Sequence, residues 1–149
     1  MRQNGDAYLI KPAGFSIPPE ATKIHHITTS RASEDGAPLH EVLQRFETVL
    51  GQYRFLVAHN MAFDEPVVMA EFYRTKIKMN LNKHVRLCTK DLSTDYCAIP
   101  GANGYKWPTL SELHRHLFGV DYQEAHDARA DIEACARCFF ELRRLKVIE

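Results

Sequence analysis

An α/β class is predicted by three observations. Short apolar runs of strand length, Phe55–Ala58 and Val85–Cys88, stand apart from longer segments whose apolar residues recur every three or four positions. These two kinds of segment alternate along the chain. At 149 residues, with 45% hydrophobic and 26% charged side chains, the chain suits one globular domain over 1–149 with a sizeable core.

At the N-terminus, Asn4-Gly5 is a strong hairpin signal, because a type I′ turn needs positive φ at both positions. Ala7–Ile10 reads as the strand that follows it, but Met1–Gln3 is too short to be its partner. Lys11 to Ala21 is a Pro-rich connector. Leu39, Val42, Leu43, Phe46, Val49 and Leu50 predict an amphipathic helix ending near Gly51. The strand Phe55–Ala58 runs into a tight loop, and a helix follows over about 65–78 with Pro66 in its first turn and Asp64 at the junction. Thr89 to Ala98 is expected to be helical but short, and Ile99 to Pro108 a loop.

Thr109-Leu110-Ser111-Glu112 fits a capping box, opening a helix with Leu110, Leu113, Leu117 and Phe118 as its stripe and Gly119 as its stop. The last helix is expected over about 127–146, with Ile132, Cys135, Phe139, Leu142 and Leu145 buried and Asp127 as its cap.

Composition narrows the function classes. The chain carries 19 basic and 19 acidic side chains, which argues against general coating of a polyanion but not against a small site that grips a few phosphates. Its apolar runs are too short to span a membrane and residues 1–15 hold no signal-peptide core. Four cysteines without a secretion signal point to free thiols and a cytoplasmic location. Cys135-x-x-Cys138 is expected to pack as small apolar residues, since Cys88 and Cys97 form no matching pair for zinc. His114 and His116 are expected at the surface. Trp107, Tyr105 and Phe118 could cradle a base, but core packing and loop anchoring are expected.

The chemistry concentrates in two stretches. Asp64 follows a strand, at the carboxyl end where α/β sheets bind ligands, and a carboxylate there suits a hard cation. His126 precedes the last helix and Asp131 lies in that helix's second turn. A carboxylate to hold a divalent ion, beside an imidazole to take a proton from water, is what metal-assisted hydrolysis requires.

His59-Asn60-Met61-Ala62-Phe63-Asp64 resembles the second motif, H-N-x-x-F-D, of the DEDDh 3′→5′ exonucleases, and His126-(x)4-Asp131 resembles their third. That family includes RNase T and the proofreading epsilon subunit of polymerase III. Ile10-Lys11-Pro12, Ile24–Thr28 and Leu110–Gly119 also look like family segments, so the similarity covers essentially the whole chain.

The resemblance implies a ribonuclease H-like exonuclease fold and release of mononucleotides from a 3′ end of single-stranded DNA or RNA. Asp64 and Asp131 would be metal ligands and His126 the general base. Two ions, Mg²⁺ or Mn²⁺, would sit about 4 Å apart. His25, His59, Asn60 and Phe63 would contact the terminal nucleotide. A DNA polymerase or a second copy of the chain are the protein partners it suggests.

Two departures stand out. His26 occupies a position where the family usually has Gly, so a different loop shape is expected there. The family's first motif, D-x-E on its first and central strand, has no counterpart before Ala7. Together with the orphaned Asn4-Gly5 turn, this predicts an N-terminally truncated exonuclease domain, with little or no activity in these residues alone. The competing expectation is a non-catalytic nucleic-acid-binding or interaction remnant.

Overall fold

The computed structural model describes residues 6–122 and 127–149. Its centre is a strand–helix–strand unit. Strand β1 (Phe55–Ala58) pairs in parallel with β2 (Val85–Cys88), in the register Phe55↔Val85 through Ala58↔Cys88. Parallel neighbours cannot be joined by a tight turn. A long helix, Met61–Thr75, provides the crossover, with Lys76 closing it in a left-handed conformation.

Three helices precede this unit: α1 (Pro19–His25), α2 (Thr29–Asp35) and α3 (Leu39–Leu50). The crossover helix is α4. After β2 come two short helices, α5 (Thr89–Leu92) and α6 (Thr94–Cys97). Then a two-residue hairpin, β3 (Pro100–Gly101) with β4 (Gly104–Tyr105), leads to α7 (Leu110–Phe118) and α8 (Ala128–Arg144). This mixed α/β arrangement accords with a ribonuclease H-like exonuclease fold.

The main core cluster lies where α7 and α8 meet: Cys97, Leu113, Cys138, Leu142 and Ile148 are buried together. Phe72 of α4 is buried as well, its ring 6.1 Å from that of Phe46 on α3. Among the described residues, no helix is long and apolar enough to cross a membrane.

Several sequence expectations are met. Thr109 and Glu112 form both bonds of the capping box, and Gly119 ends α7 at φ 72°. Asp127 caps α8, its carboxylate accepting from the Arg129 and Ala130 amides at 3.0 Å each. Cys138 packs as an apolar residue.

Others are corrected. Ala7–Ile10 forms no strand; it makes one parallel bridge, Ile10 to Ala37, fixed by Lys11 N–H to the Ala37 carbonyl and Ala37 N–H to the Leu9 carbonyl. The Asn4-Gly5 turn falls outside the described residues. The Pro-rich connector ends early, because Pro19 opens α1. Helix α4 begins at Met61 rather than near 65, so Pro66 is inside it and Asp64 lies on its first turn. Residues 99–108 contain the β3–β4 hairpin.

The buried face of α8 runs through Ala134, Cys138 and Leu142, leaving Ile132 59% exposed and Leu145 exposed too. Cys138 and Leu142 of this face pack with Leu113 of α7. His114 is 1% exposed instead of lying at the surface; its Nδ1 bonds the Val120 carbonyl and its ring lies 4.7 Å from Phe118. Trp107 and Tyr105 are exposed, so neither packs into the core.

Candidate active site

The carboxyl ends of β1 and β2 lie side by side, and their next residues, His59 and Thr89, carry the first link of the site. His59 Nδ1 lies 3.0 Å from the Thr89 hydroxyl and Nε2 lies 3.0 Å from the Pro108 carbonyl. A carbonyl can only accept, so Nε2 carries the proton and Nδ1 accepts from the Thr89 hydroxyl. That hydroxyl is also 3.3 Å from the Ala58 carbonyl, but its single hydrogen goes to the shorter contact. Burial, the largest influence, lowers the His59 pKa and keeps the ring neutral. Both ring nitrogens of His59, a residue the resemblance sets at the terminal nucleotide, are thus engaged within the protein.

Cys135 of α8 joins this network, its Sγ 3.8 Å from the Thr89 hydroxyl. Burial pushes its thiol up to about 11, so it remains an S–H donor at neutral pH. Cys88 Sγ lies 3.8 Å from the His59 carbonyl.

Asn60 caps α4 and links to α5: the Lys90 ammonium donates to Asn60 Oδ1 at 2.8 Å. Asp64 lies one turn further, its amide bonded to the Asn60 carbonyl at 3.0 Å. Its side chain is exposed, yet neighbouring groups remove enough water to raise its pKa. A hydrogen bond from the Asn60 backbone and the Lys90 charge oppose that rise without cancelling it. A carboxylate held this way gains from a nearby cation. Phe63, beside it on α4, is 63% exposed and presents its ring to solvent.

Asp131 approaches on α8, one helical turn before Cys135 and on the same face. The Tyr122 hydroxyl donates to Asp131 Oδ1 at 2.7 Å, and burial pushes Tyr122 up to about 12. After burial, the Asp64 charge is among the lesser influences that raise the Cys135 thiol. His126 lies outside the described residues. His25 ends α1 and its Nδ1 accepts from the Ile27 amide at 3.1 Å, a local bond.

Among the described residues, no group of three or more His, Cys, Asp or Glu side chains is arranged to hold a metal ion. The donor chemistry of Asp64 and Asp131 fits part of a hard cation's shell but not, by itself, a two-ion site. A separate groove of about 480 Å³ runs between α4 and β2, lined by Met61, Glu65, Pro66, Arg86, Cys88 and Asp91. There Arg86 and Glu65 form a two-pronged ion pair at 2.6 and 2.8 Å.

Sequence reasoning missed Thr89, Lys90 and Tyr122. Thr89 and Lys90 had a readable signal, being polar residues directly after a strand. Tyr122 had none, since its role depends on a contact made in space.

The exonuclease family model RNase T matches residues 6–139, which span every element just described from Ile10 into α8. The chain belongs to the RNase T exonuclease family. No curated protein gives a significant match. In this family member His59 and Thr89 directly follow β1 and β2, at the strand ends where α/β folds bind ligands. Exonucleases of this family generally use divalent metal ions.

Proposed function

We propose that this exonuclease-family chain acts on the 3′ end of single-stranded DNA or RNA, in the 3′→5′ direction, with Mg²⁺ or Mn²⁺. The observation that supports this most is the setting of Asp64: a carboxylate with a raised pKa, next to Asn60 and Lys90, at the carboxyl end of a parallel strand pair. Asp64 and Asp131 would hold a hard cation, which when bound would neutralise charge on the scissile phosphate. His126 would take the proton of the attacking water. The Asn60 amide and the exposed Phe63 ring would hold the terminal nucleotide, with His25 and His59 at its margin.

Among the described residues, no strand carries a D-x-E. We therefore propose that this chain by itself cleaves slowly or not at all, and that full activity needs two further carboxylates. The second reading, a nucleic-acid-binding module without catalysis, draws on the absence of a three-ligand metal cluster among the described residues.

A 3′-labelled oligonucleotide with Mg²⁺ or Mn²⁺ separates the two. Three proteins are compared: this chain, a version extended by any in-frame residues upstream, and the extended Asp64→Ala variant. Cleavage by the extended protein that drops at least 100-fold in Asp64→Ala supports the enzyme. Equal cleavage by Asp64→Ala overturns the site assignment. Binding without cleavage by either wild-type protein favours the binding module.

A further inference from the structure

Trp107 is the single tryptophan of the sequence and is 64% exposed. A tryptophan normally contributes by burying its large ring. Here the backbone on both sides is pinned while the ring is left uncovered. Lys106 N–H donates to the Ile99 carbonyl at 2.9 Å, and the carbonyl of the fully buried Pro108 accepts from His59 at 3.0 Å. An anchored loop that spends its rigidity on an exposed ring presents that ring to something outside the fold.

Lys90 indicates what. Its ammonium lies 4.7 Å from the centre of the Trp107 ring and 2.8 Å from Asn60 Oδ1. An ammonium has three N–H donors, and the bond to Asn60 uses one. The same charge reaches Asp64, where it lowers the carboxylate's pKa against the effect of burial. A flat π surface and a cation with spare donors therefore stand together at the rim of the Asp64 cluster. A nucleotide offers both complements: a base to stack and a phosphate to accept.

We infer that Trp107 and Lys90 form a binding subsite for one nucleotide of the single strand whose 3′ end lies at Asp64. The base stacks on the face of the indole opposite Lys90, and Lys90 contacts a phosphate. This rests on the proposed action at a nucleic-acid 3′ end. It adds two residues that no motif of that reading contains, and gives His59 the role of bracing the loop that carries the ring.

The test uses the whole chain with EDTA, so that no turnover occurs. Trp107 emission is followed while short oligothymidylate and oligouridylate are added, and fluorescence anisotropy of 5′-labelled oligonucleotides reports binding in parallel. The expected result is saturable quenching that tracks the anisotropy. Trp107→Leu should weaken binding roughly 5- to 100-fold, and Trp107→Phe less. Lys90→Met should reduce the slope of log K against log salt by about 0.7, and Lys90→Arg should keep it. Thermal melts establish that each variant is folded.

If oligonucleotides bind while Trp107 emission is unchanged, or bind Trp107→Leu and Trp107→Phe as tightly as wild type, the subsite is overturned and the action at a 3′ end stands. No binding of any oligonucleotide, in anisotropy or emission, overturns the subsite and the nucleic-acid reading together.

Discussion

His26 holds φ 58° and ψ 19°, the left-handed conformation that a glycine adopts without strain. Its amide bonds the Thr22 carbonyl at 2.8 Å and so ends α1. The histidine thus occupies a backbone conformation that glycine favours. A side chain in this region costs about 1–2 kcal/mol, partly offset by the greater freedom of an unfolded glycine. His26→Gly is expected to raise stability by a few tenths to about 1 kcal/mol, read as a shift of the urea midpoint at constant slope.

His59 sets a pH dependence. Its folded-state pKa lies below the ordinary 6.5, so the unfolded chain binds the proton first as pH falls. Its contribution is complete above about pH 6.5 and is lost as pH drops from there toward the folded pKa. Unfolding in urea at pH 7.5 and 5.5 should show this loss, and His59→Gln should flatten it. The local settings of Asp64, in the first turn of α4, and of Asp127, the cap of α8, were legible because each depends on a few neighbouring residues. Contacts were not legible where the partner lies far along the chain: His59 with Pro108, or Tyr122 with Asp131.

At the scale of elements, helix ends with a side-chain cap were readable, as at Thr109 and Asp127, because caps act within four residues. Thr109 satisfies an amide of α7 with its hydroxyl at 3.2 Å while Glu112 returns to the Thr109 amide at 2.8 Å. Thr109→Ala is expected to cost about 1 kcal/mol, measured by thermal or urea unfolding. The effect should be stability alone, since neither group reaches the Asp64 cluster.

Buried faces, and ends without a side-chain cap, were harder to read. On α8 the periodicity of apolar residues placed Leu142 correctly but also pointed to Ile132 and Leu145, which are exposed, while Cys138 joins Leu142 in the cluster against α7 and Ala134 is buried too. On α4 the Pro66 ring suggested a start near residue 65. Asn60 instead starts the helix a full turn earlier, and that moves Asp64 from a loop onto a helix.

For the whole molecule, alternation of strands and helices gave the α/β class, and β1 and β2 fell where the apolar pattern set them, while α4 lies between them but starts and ends earlier than expected. Tertiary pairing was outside its reach. Ala7–Ile10 has strand composition, but its partner is Ala37, and a single bridge is what that contact supports. The same view of the whole fold gives a ligand prediction. If Asp64 and Asp131 share a cation, Mn²⁺ at ten times its dissociation constant should stabilise the folded chain by about 1.4 kcal/mol. A thermal-shift titration reads this, and Asp64→Asn should abolish it while Asp127→Asn leaves it intact.

The hydrogen bond between His59 and Thr89 sits immediately beyond the last ladder pair, Ala58↔Cys88. The first pair joins residues 30 apart, Phe55 and Val85, so a long loop must close before the ladder forms. A slip of one residue would turn the His59 ring to the other face of the strand. The bond is therefore a register lock, made only after the strands are correctly docked. In kinetic terms it is expected to form on the late side of the folding barrier. His59→Ala should raise the unfolding arm of the chevron and leave the folding arm in place, so the pair that braces the site also slows the protein's departure from its native state.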